Sequence, residues 1–294
     1  MSSILPQRLD HTALLAGTAA ASIWGAMYVV SKAVMGVVPP LTLLAARLIL
    51  GMIALAPFLR GRPHPRREAW PAILAVGAVG YGLSLSLQFV GTHWSTAANG
   101  ALVTTATPAF VFLFARWVLH EHIPARRWAA LALATAGVLV VVDPRQARLD
   151  ATLFWGNVLL ALAALTWALY SVLVGRLARE HDLLWVSVGT FLGGLLLAAP
   201  LSAYELAVYG LGGPVTRGVV AGVLFVGFGS TALAMALWNY AFARLPAGVA
   251  GLTFFAQPVV GTLLSAWFLH EPLTPAFWVG AVLIGLGVFW ATRP

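Results

Sequence analysis

The chain contains one sequence pattern twice. Residues 104–121 read TTATPAFVFLFARWVLHE, and residues 254–271, which lie 150 positions later, read FFAQPVVGTLLSAWFLHE. Earlier parts of the two halves match at a spacing of 143 positions, at the pairs Trp24/Trp167, Gly51/Gly194 and Ala56-Pro57/Ala199-Pro200. We assign the difference of seven residues to a longer connection around 204–216 in the second half. The repeat predicts two halves of related fold, 1–142 and 153–294.

The composition places these halves in a membrane. Of the 294 residues, 61% are hydrophobic and only 9% are charged, whereas soluble proteins average about 25% charged residues. The first apolar run extends from Ala13 to about Met35, which is too long for the core of a signal peptide. The net charge of +8 comes from arginines between apolar runs. That pattern is typical of membrane-protein loops, so we predict contact with the lipid bilayer and none with nucleic acid.

Ten apolar runs approach the length of about 20 residues that a helix needs to cross the hydrocarbon core. They are 13–35, 41–59, 71–91, 97–118, 128–142, 153–175, 183–203, 218–241, 248–269 and 276–292. We number them as spans 1 to 10 and predict an all-α membrane protein. Five spans per half is an odd number, so the second half must enter the membrane upside down. The fold class is therefore ten transmembrane helices in two inverted five-helix repeats, which together form one transmembrane domain.

The arginines predict the orientation of the chain, because cytoplasmic loops collect Lys and Arg. If the N-terminus is inside, the inner loops and span ends hold Arg8, Arg60, Arg62, Arg66, Arg67, Arg116, Arg126, Arg127, Arg176, Arg179, Arg244 and Arg293. The outer side then keeps only Arg145, Arg148 and Arg217. We predict that both termini are cytoplasmic.

Aromatic and polar residues recur at mid-depth in spans 1, 3, 4, 6, 8 and 9, at spacings that place them on shared helix faces. Lipid offers no hydrogen-bond partners, so polar groups at that depth must pair inside the protein. Aromatic rings beside them can form a binding pocket. We predict a substrate cavity lined by Trp24, Tyr28, Tyr81, Gln88, Asn99, Trp167, Tyr170, Trp238, Asn239, Phe255 and Gln257.

A purely structural role is the alternative for these residues, since Ser, Thr and Asn often join neighbouring helices and Trp and Tyr form interfacial belts. In the functional interpretation, the aromatic rings contact the substrate's apolar part, and Asn99, Gln88 and Gln257 hold its amino or carboxylate end. Replacing Trp167 or Tyr81 with Ala is then expected to reduce transport without impairing folding.

Four other residues inside spans are candidates for function. Pro108 and Pro258 occupy matching places near the middle of spans 4 and 9. Each removes a helix hydrogen bond, so we predict hinges, with static kinks as the alternative. Lys32 and Arg47 are the cations within spans. Their side chains either snorkel to the outer headgroups or form an outer-vestibule clamp for a carboxylate or phosphate.

Acidic residues and enzyme motifs argue against coupling and catalysis. All nine carboxylates lie in loops or at helix ends: Asp10, Glu68, Glu121, Asp143, Asp150, Glu180, Asp182, Glu205 and Glu271. Ion-coupled carriers usually need an ionisable group within the membrane, so we predict facilitated transport. Glu121 and Glu271 are the exceptions to this argument, because they recur at matching places and could move into an inner or outer vestibule. The single lysine lies in VVSKAV and fits no phosphate-binding loop. Without cysteine or HExxH spacing, we predict no metal site, no cofactor and no enzymatic activity.

The repeated proline followed thirteen residues later by glutamate, together with the segment FLHEPLT and a glycine-rich last span, resembles the drug/metabolite transporter superfamily and, within it, the EamA-like family. Members similar to this chain include bacterial exporters of aromatic and other neutral amino acids. The resemblance implies an inner-membrane location, cytoplasmic termini and a cavity enclosed by spans 1, 3, 4, 6, 8 and 9. The motif is more specific to the fold than to the substrate.

The expected function is export of small amphipathic metabolites, chiefly aromatic and other neutral amino acids, by alternating access. A monomer is expected to suffice for transport, and the sequence does not determine the oligomeric state. Two alternatives remain open. One is a carrier of nucleotide sugars, drugs or other metabolites from the same superfamily, and the other is a membrane partner or sensor that does not transport.

Overall fold

The computed structural model describes residues 10–95, 103–104, 106–142, 154–269 and 275–292, which are helical almost throughout and contain no strand. In the first repeat the spans are His11–Val34, Pro40–Leu55 with a short 3-10 continuation, the composite span 3 from Trp70 to Trp94, Thr107–Val118 and Ala125–Val142. In the second repeat they are Phe154–Glu180, Leu183–Tyr209, the composite span 8 from Arg217 to Arg244, the composite span 9 from Ala247 to Leu269, and Pro275–Thr292.

The helices meet the requirements of a multi-pass membrane protein. Spans 1, 2, 3, 6, 7 and 8 are each long and apolar enough to cross a bilayer, and spans 4, 9 and 10 contain shorter apolar helices. Large apolar side chains on the outside are well exposed, for example Leu196 by 63%, Val282 by 59% and Trp267 by 78%. Lipid is the solvent that such a surface requires, because water would penalise so much exposed apolar area.

The packing of the spans has a two-fold pattern that matches the repeats. Span 5 packs on span 10, and span 2 packs on span 7. Span 1 lies against spans 8 and 9, while its counterpart, span 6, lies against spans 3 and 4. Exchanging the two repeats therefore leaves the first two contacts unchanged and turns the contacts of span 1 into those of span 6. The prediction of two repeated five-helix halves is confirmed.

The extra length of the second repeat lies in a helix. Helix Pro40–Leu59 of span 2 has 20 residues, including its 3-10 end, whereas Leu183–Tyr209 of span 7 has 27. The connections that follow, 60–66 and 210–216, are equally long. The predicted longer connection around 204–216 is therefore wrong. An apolar helix can gain two turns without any break in its sequence pattern, so the repeat spacing alone could not locate the added residues.

Spans 3 and 8 share an unusual π-helical centre, Ala78–Ser84 in one and Phe225–Leu233 in the other. Each centre packs closely on a glycine of the opposite repeat. A Cβ atom at Gly194 would lie 2.3 Å from the Tyr81 Cβ, and one at Gly51 would lie 2.8 Å from the Thr231 Cγ2. These two contacts occupy equivalent places in the repeats. Because Gly194 and Gly51 have no side chains, the wide π-helical turns can pack directly against spans 7 and 2.

Polar contacts tie the loops together at both ends of the bundle. At the N-terminal end, where span 1 begins, Arg62 forms an ion pair with Asp182 at 2.9 Å, and the Glu121 carboxylate accepts a hydrogen bond from the backbone N–H of Ala247. At the opposite end, Glu205 accepts hydrogen bonds from the backbone N–H and hydroxyl of Thr42. Glu205 lies within the helix of span 7, because that helix is longer than the sequence pattern suggested.

The contact of Gly194 with span 3 can be tested by adding one methyl group. Gly194→Ala is expected to lower the free energy of unfolding by about 1–3 kcal/mol, because the Tyr81 Cβ can retreat only if the backbone moves. Thermal unfolding in detergent is the measurement. Gly285→Ala is the matched control, because a Cβ there meets nothing within 4 Å. Its melting temperature should stay the same or rise slightly. Equal effects of the two substitutions would contradict the close contact.

Candidate functional site

A cavity of about 30 Å³ lies between the two repeats. This volume has room for about two water molecules. Its apolar wall is formed by Trp24, Met27, Leu85, Ala163, Ala164, Trp167, Met235 and Phe254. Its polar wall is formed by Arg47, Ser84, Gln88, Thr104, Thr107 and Gln257. These side chains come from spans 1, 2, 3, 4, 6, 8 and 9, so the cavity draws on both repeats.

Four residues of the predicted substrate site lie in this wall, namely Trp24, Gln88, Trp167 and Gln257. The indole rings of Trp24 and Trp167 meet edge to face, with their centroids 5.6 Å apart. This geometry is favourable for aromatic pairs. The two rings belong to equivalent places in the two repeats, so the cavity lies on the axis that relates them.

Arg47 also lies in the wall and is completely buried. Its Nε donates to the Thr231 hydroxyl at 2.7 Å, and its Nη2 donates to the Ser230 hydroxyl at 3.0 Å. The guanidinium carbon lies 5.7 Å from the centre of the Phe89 ring. The side chain is thus fixed inside the bundle and does not snorkel to a membrane surface. The alternative offered by the sequence, an outer-vestibule clamp for a carboxylate or phosphate, stays a prediction.

Five other predicted site residues lie outside the wall of the cavity. They are buried in the packed interior beside it: Tyr81, Tyr170, Trp238, Asn239 and Phe255. Tyr170 follows Trp167 by one turn of span 6, and Asn239 follows Met235 by one turn of span 8. Both positions are displaced from the cavity toward the N-terminal end of the bundle. We call these five residues the inner layer.

Hydrogen bonds join the inner layer across four spans. The hydroxyl groups of Tyr81 and Tyr170 are hydrogen-bonded to each other. The Tyr170 hydroxyl donates to the Asn239 Oδ1 at 2.9 Å, and the Asn239 Nδ2 donates to the Ser187 hydroxyl at 3.0 Å. Separately, the Trp238 Nε1 donates to the Ser171 hydroxyl at 3.0 Å. The polar groups of Tyr81, Tyr170 and Asn239 are therefore hydrogen-bonded within the packed interior, and their role in substrate contact stays a prediction.

The two central tryptophans differ in one respect. The Trp24 Nε1 donates to the backbone carbonyl of Ser230 at 3.0 Å, within the π-helical centre of span 8. The Trp167 Nε1 is buried and has no hydrogen-bond partner in the described part of the chain. Trp167 lines the cavity, and 7% of its surface is exposed. One residue of the cavity wall therefore carries an indole N–H that is unsatisfied within the described part of the chain.

Other predicted residues are less fully described. Asn99 and Glu271 lie outside the described residues. Tyr28 and Lys32 belong to the helix of span 1, but their side chains also lie outside the described part of the structure. These assignments stay predictions.

The two prolines lie early in helical segments. Pro108 is the second residue of Thr107–Val118, and Pro258 is the third residue of Ala256–Leu269, which follows a 3-10 turn at Thr253–Phe255. A proline in a first turn costs no helix hydrogen bond. In span 4 the described helix therefore begins one residue before Pro108, and in span 9 a 3-10 turn directly precedes the segment that contains Pro258.

Several wall residues are absent from the predicted site. Met27 lies three residues after Trp24, and Ser84 lies four residues before Gln88, so helical spacing could have identified both. Phe254 was passed over in favour of its neighbour, Phe255. The 3-10 turn at Thr253–Phe255 changes which of the two faces the cavity, and the sequence pattern does not reveal that turn.

The fold and its central cavity define a multi-pass membrane transporter built from two repeats. Residues 11–143 and 154–293 each match the model of the EamA-like transporter family. The chain belongs to this family, and the domain is present twice, once in each half.

Curated relatives and one solved structure agree with this assignment. The chain is 28% identical over 281 residues to the transporter YvbV of Bacillus subtilis, covering 89% of this chain and 85% of that protein. It is 24% identical to the transporter YetK of the same organism, covering 92% and 84%. Both names describe the relatives as uncharacterized. A solved crystal structure matches with a TM-score of 0.80 and 23% identity over 96% of each chain, which shows the shared fold.

The hydrogen bonds of the inner layer can be tested with a double-mutant cycle of Tyr170→Phe and Asn239→Ala. Each single substitution is expected to lower stability. The combined loss should be smaller than the sum by about 0.5–2 kcal/mol, because both remove the same hydrogen bond. Thermal unfolding in detergent is the measurement. Strictly additive losses would contradict a direct bond between the two side chains.

Proposed function

We propose that the protein exports small amphipathic metabolites, chiefly aromatic and other neutral amino acids, across a bacterial inner membrane. The observation that carries this proposal is the composition of the cavity wall. The rings of Trp24, Trp167 and Phe254 offer an apolar surface for a side chain, while Gln88 and Gln257 offer amide groups for polar ends. Pockets for small molecules commonly combine a mostly apolar wall with a few polar groups.

The size of the cavity supports alternating access. Space for about two water molecules does not admit an amino acid, so the spans around it must move before a substrate binds. The two-fold packing pattern supplies a physical route, because inverted repeats can exchange conformations around a fixed central site. In this mechanism spans 4 and 9 bend at Pro108 and Pro258.

We infer that the N-terminal end of the bundle faces the cytoplasm. The described loops and span ends there carry most of the arginines, including Arg60, Arg66, Arg126 and Arg176, whereas the opposite end carries Arg217. Cytoplasmic loops collect such residues. In this orientation the inner layer lies between the cavity and the cytoplasm.

Transport is proposed to be facilitated, without a coupling ion. None of the described residues that line the cavity is a carboxylate. Glu121, which could have served as an exception, accepts a hydrogen bond from the start of span 9 at the N-terminal end, away from the cavity.

The direct test is flux in proteoliposomes that contain only this protein. Labelled phenylalanine, tryptophan and leucine should equilibrate saturably without a pH gradient, and labelled glutamate should move far more slowly. Accumulation that requires a pH gradient would contradict facilitated transport. Binding of these compounds without flux would favour the sensor alternative, and inactivity toward all of them would favour another metabolite class.

Trp167 provides a sharper test of the cavity. Trp167→Ala is expected to lower the kcat/KM for phenylalanine flux by about ten-fold, because the substrate loses its ring contact and a hydrogen-bond donor. Trp155→Ala is the matched control, since Trp155 lies on the same span with 67% of its surface exposed. The control should transport normally at equal reconstituted amounts. Similar losses in both variants would indicate a general effect on folding rather than on the cavity.

The hinge role of the prolines predicts a change in rate without a change in affinity. Pro108→Ala and Pro258→Ala each remove the ring that excludes a preceding regular α-helical turn and supply a backbone N–H, which makes bending there more difficult. We expect a several-fold lower maximum rate with a nearly unchanged KM, measured in the same vesicles. Normal rates for both variants would remove the prolines from the mechanism.

A further inference from the structure

The two repeats place a tryptophan at equivalent positions beside the cavity, but only one of the two N–H groups is satisfied. Trp24 donates to the Ser230 carbonyl at 3.0 Å. Gly80 occupies the place equivalent to Ser230 in span 3, yet the Trp167 Nε1 has no partner in the described part of the chain. Buried donors in native proteins are nearly always paired, so an unpaired donor in a cavity wall points to a bound acceptor.

The wall of the same cavity also carries a positive charge. Arg47 belongs to the wall, whereas the equivalent position in the second repeat is Thr190, which bonds its own helix backbone. No acidic side chain is present among the described residues of the wall. In a surrounding of low polarity, a fixed cation attracts an anionic group strongly and repels an ammonium group.

Equivalent positions of the two repeats carry different side chains, so the polar groups of the cavity lie on one side of the two-fold axis. Gln88 of span 3 lines the cavity, while its equivalent in span 8 is Trp238, which is fully buried in the inner layer. Met27 lines the cavity, and its equivalent, Tyr170, is bonded to Asn239. On the inner-layer side of the two-fold axis, side chains fill the space and hydrogen-bond to one another. On the other side, the cavity wall contains hydrogen-bond donors and the positive charge of Arg47.

We propose that the cavity recognises its substrate by a carboxylate, which accepts a hydrogen bond from the Trp167 Nε1 and lies in the field of the Arg47 guanidinium. An ammonium group on the substrate is not required. The preferred ligands are then monocarboxylates with an aromatic or branched apolar side chain, of which neutral amino acids are one case. This inference rests on the proposed function, because it names the chemical group through which the same cavity selects its substrates.

Three analogues of phenylalanine separate the two charged groups. 3-Phenylpropanoate lacks the amine, phenethylamine lacks the carboxylate, and phenylalaninamide replaces the carboxylate by a neutral amide. In proteoliposomes, 3-phenylpropanoate should inhibit phenylalanine flux about as strongly as unlabelled phenylalanine does. The other two should inhibit at least about ten-fold more weakly, because they offer no anionic acceptor. Equal inhibition by phenethylamine and 3-phenylpropanoate would overturn the inference while leaving phenylalanine transport intact.

The donor itself is tested by Trp167→Phe, which removes the N–H and keeps an aromatic ring. This variant should bind 3-phenylpropanoate about ten-fold more weakly, with little change in its weak affinity for phenethylamine. Trp24→Phe is the matched control, since its N–H already serves the Ser230 carbonyl. The control should keep the preference for the carboxylate. An unchanged preference in Trp167→Phe would overturn the assignment of this donor.

A binding measurement distinguishes failure of this inference from failure of the proposed function. Ligands that bind the native state raise its melting temperature. If phenylalanine does not cross the membrane, but 3-phenylpropanoate stabilises the wild type and not Trp167→Phe, the carboxylate site stands and amino-acid transport does not. If 3-phenylpropanoate neither inhibits flux nor stabilises the purified protein, the inference is wrong.

Discussion

The constraint on which this structure depends is that lipid supplies no hydrogen-bond partners. Each polar group at mid-depth must find its partner inside the bundle, and most of them do. Arg47 is held by Thr231 and Ser230, and Tyr170 and Asn239 satisfy each other. These pairs join spans of different repeats or of one repeat, so they also fix the register in which apolar helices pack. Hydrophobic surface alone could not do so, because lipid tails are as apolar as the helices.

Duplication explains the architecture, and divergence between the copies explains the site. The close contacts of Gly194 with Tyr81 and of Gly51 with Thr231 are the same contact made twice. The side chains around the centre are not duplicated in this way. Arg47 stands where the other repeat has Thr190, so one side of the axis is polar and open and the other is filled. A single asymmetric substrate needs such a difference, since two identical sites would bind it in two opposed orientations.

The sequence predicts the spans well because a run of about 20 apolar residues has few alternatives in a membrane. It also predicts Trp24, Gln88, Trp167 and Gln257 as wall residues, since helical spacing places them on one side of their spans. It could not separate the wall from the inner layer. Whether Tyr170 faces a cavity or a partner depends on the residue opposite it, here Asn239, and that pairing crosses spans far apart in the chain.

In the proposed orientation, the inner layer is the barrier that loading from the cytoplasm must overcome. Its rings are tightly packed, with Tyr81 and Tyr170 centred 4.9 Å apart, but its hydrogen bonds connect four different spans. Moving spans 3 and 8 relative to spans 6 and 7 breaks those bonds together, and each freed group would then be exposed to the water that enters the opening. A layer closed only by apolar rings would expose apolar surface instead, at a cost that grows with the area. Polar links therefore suit a barrier that must open repeatedly, because water replaces each lost partner at small net cost.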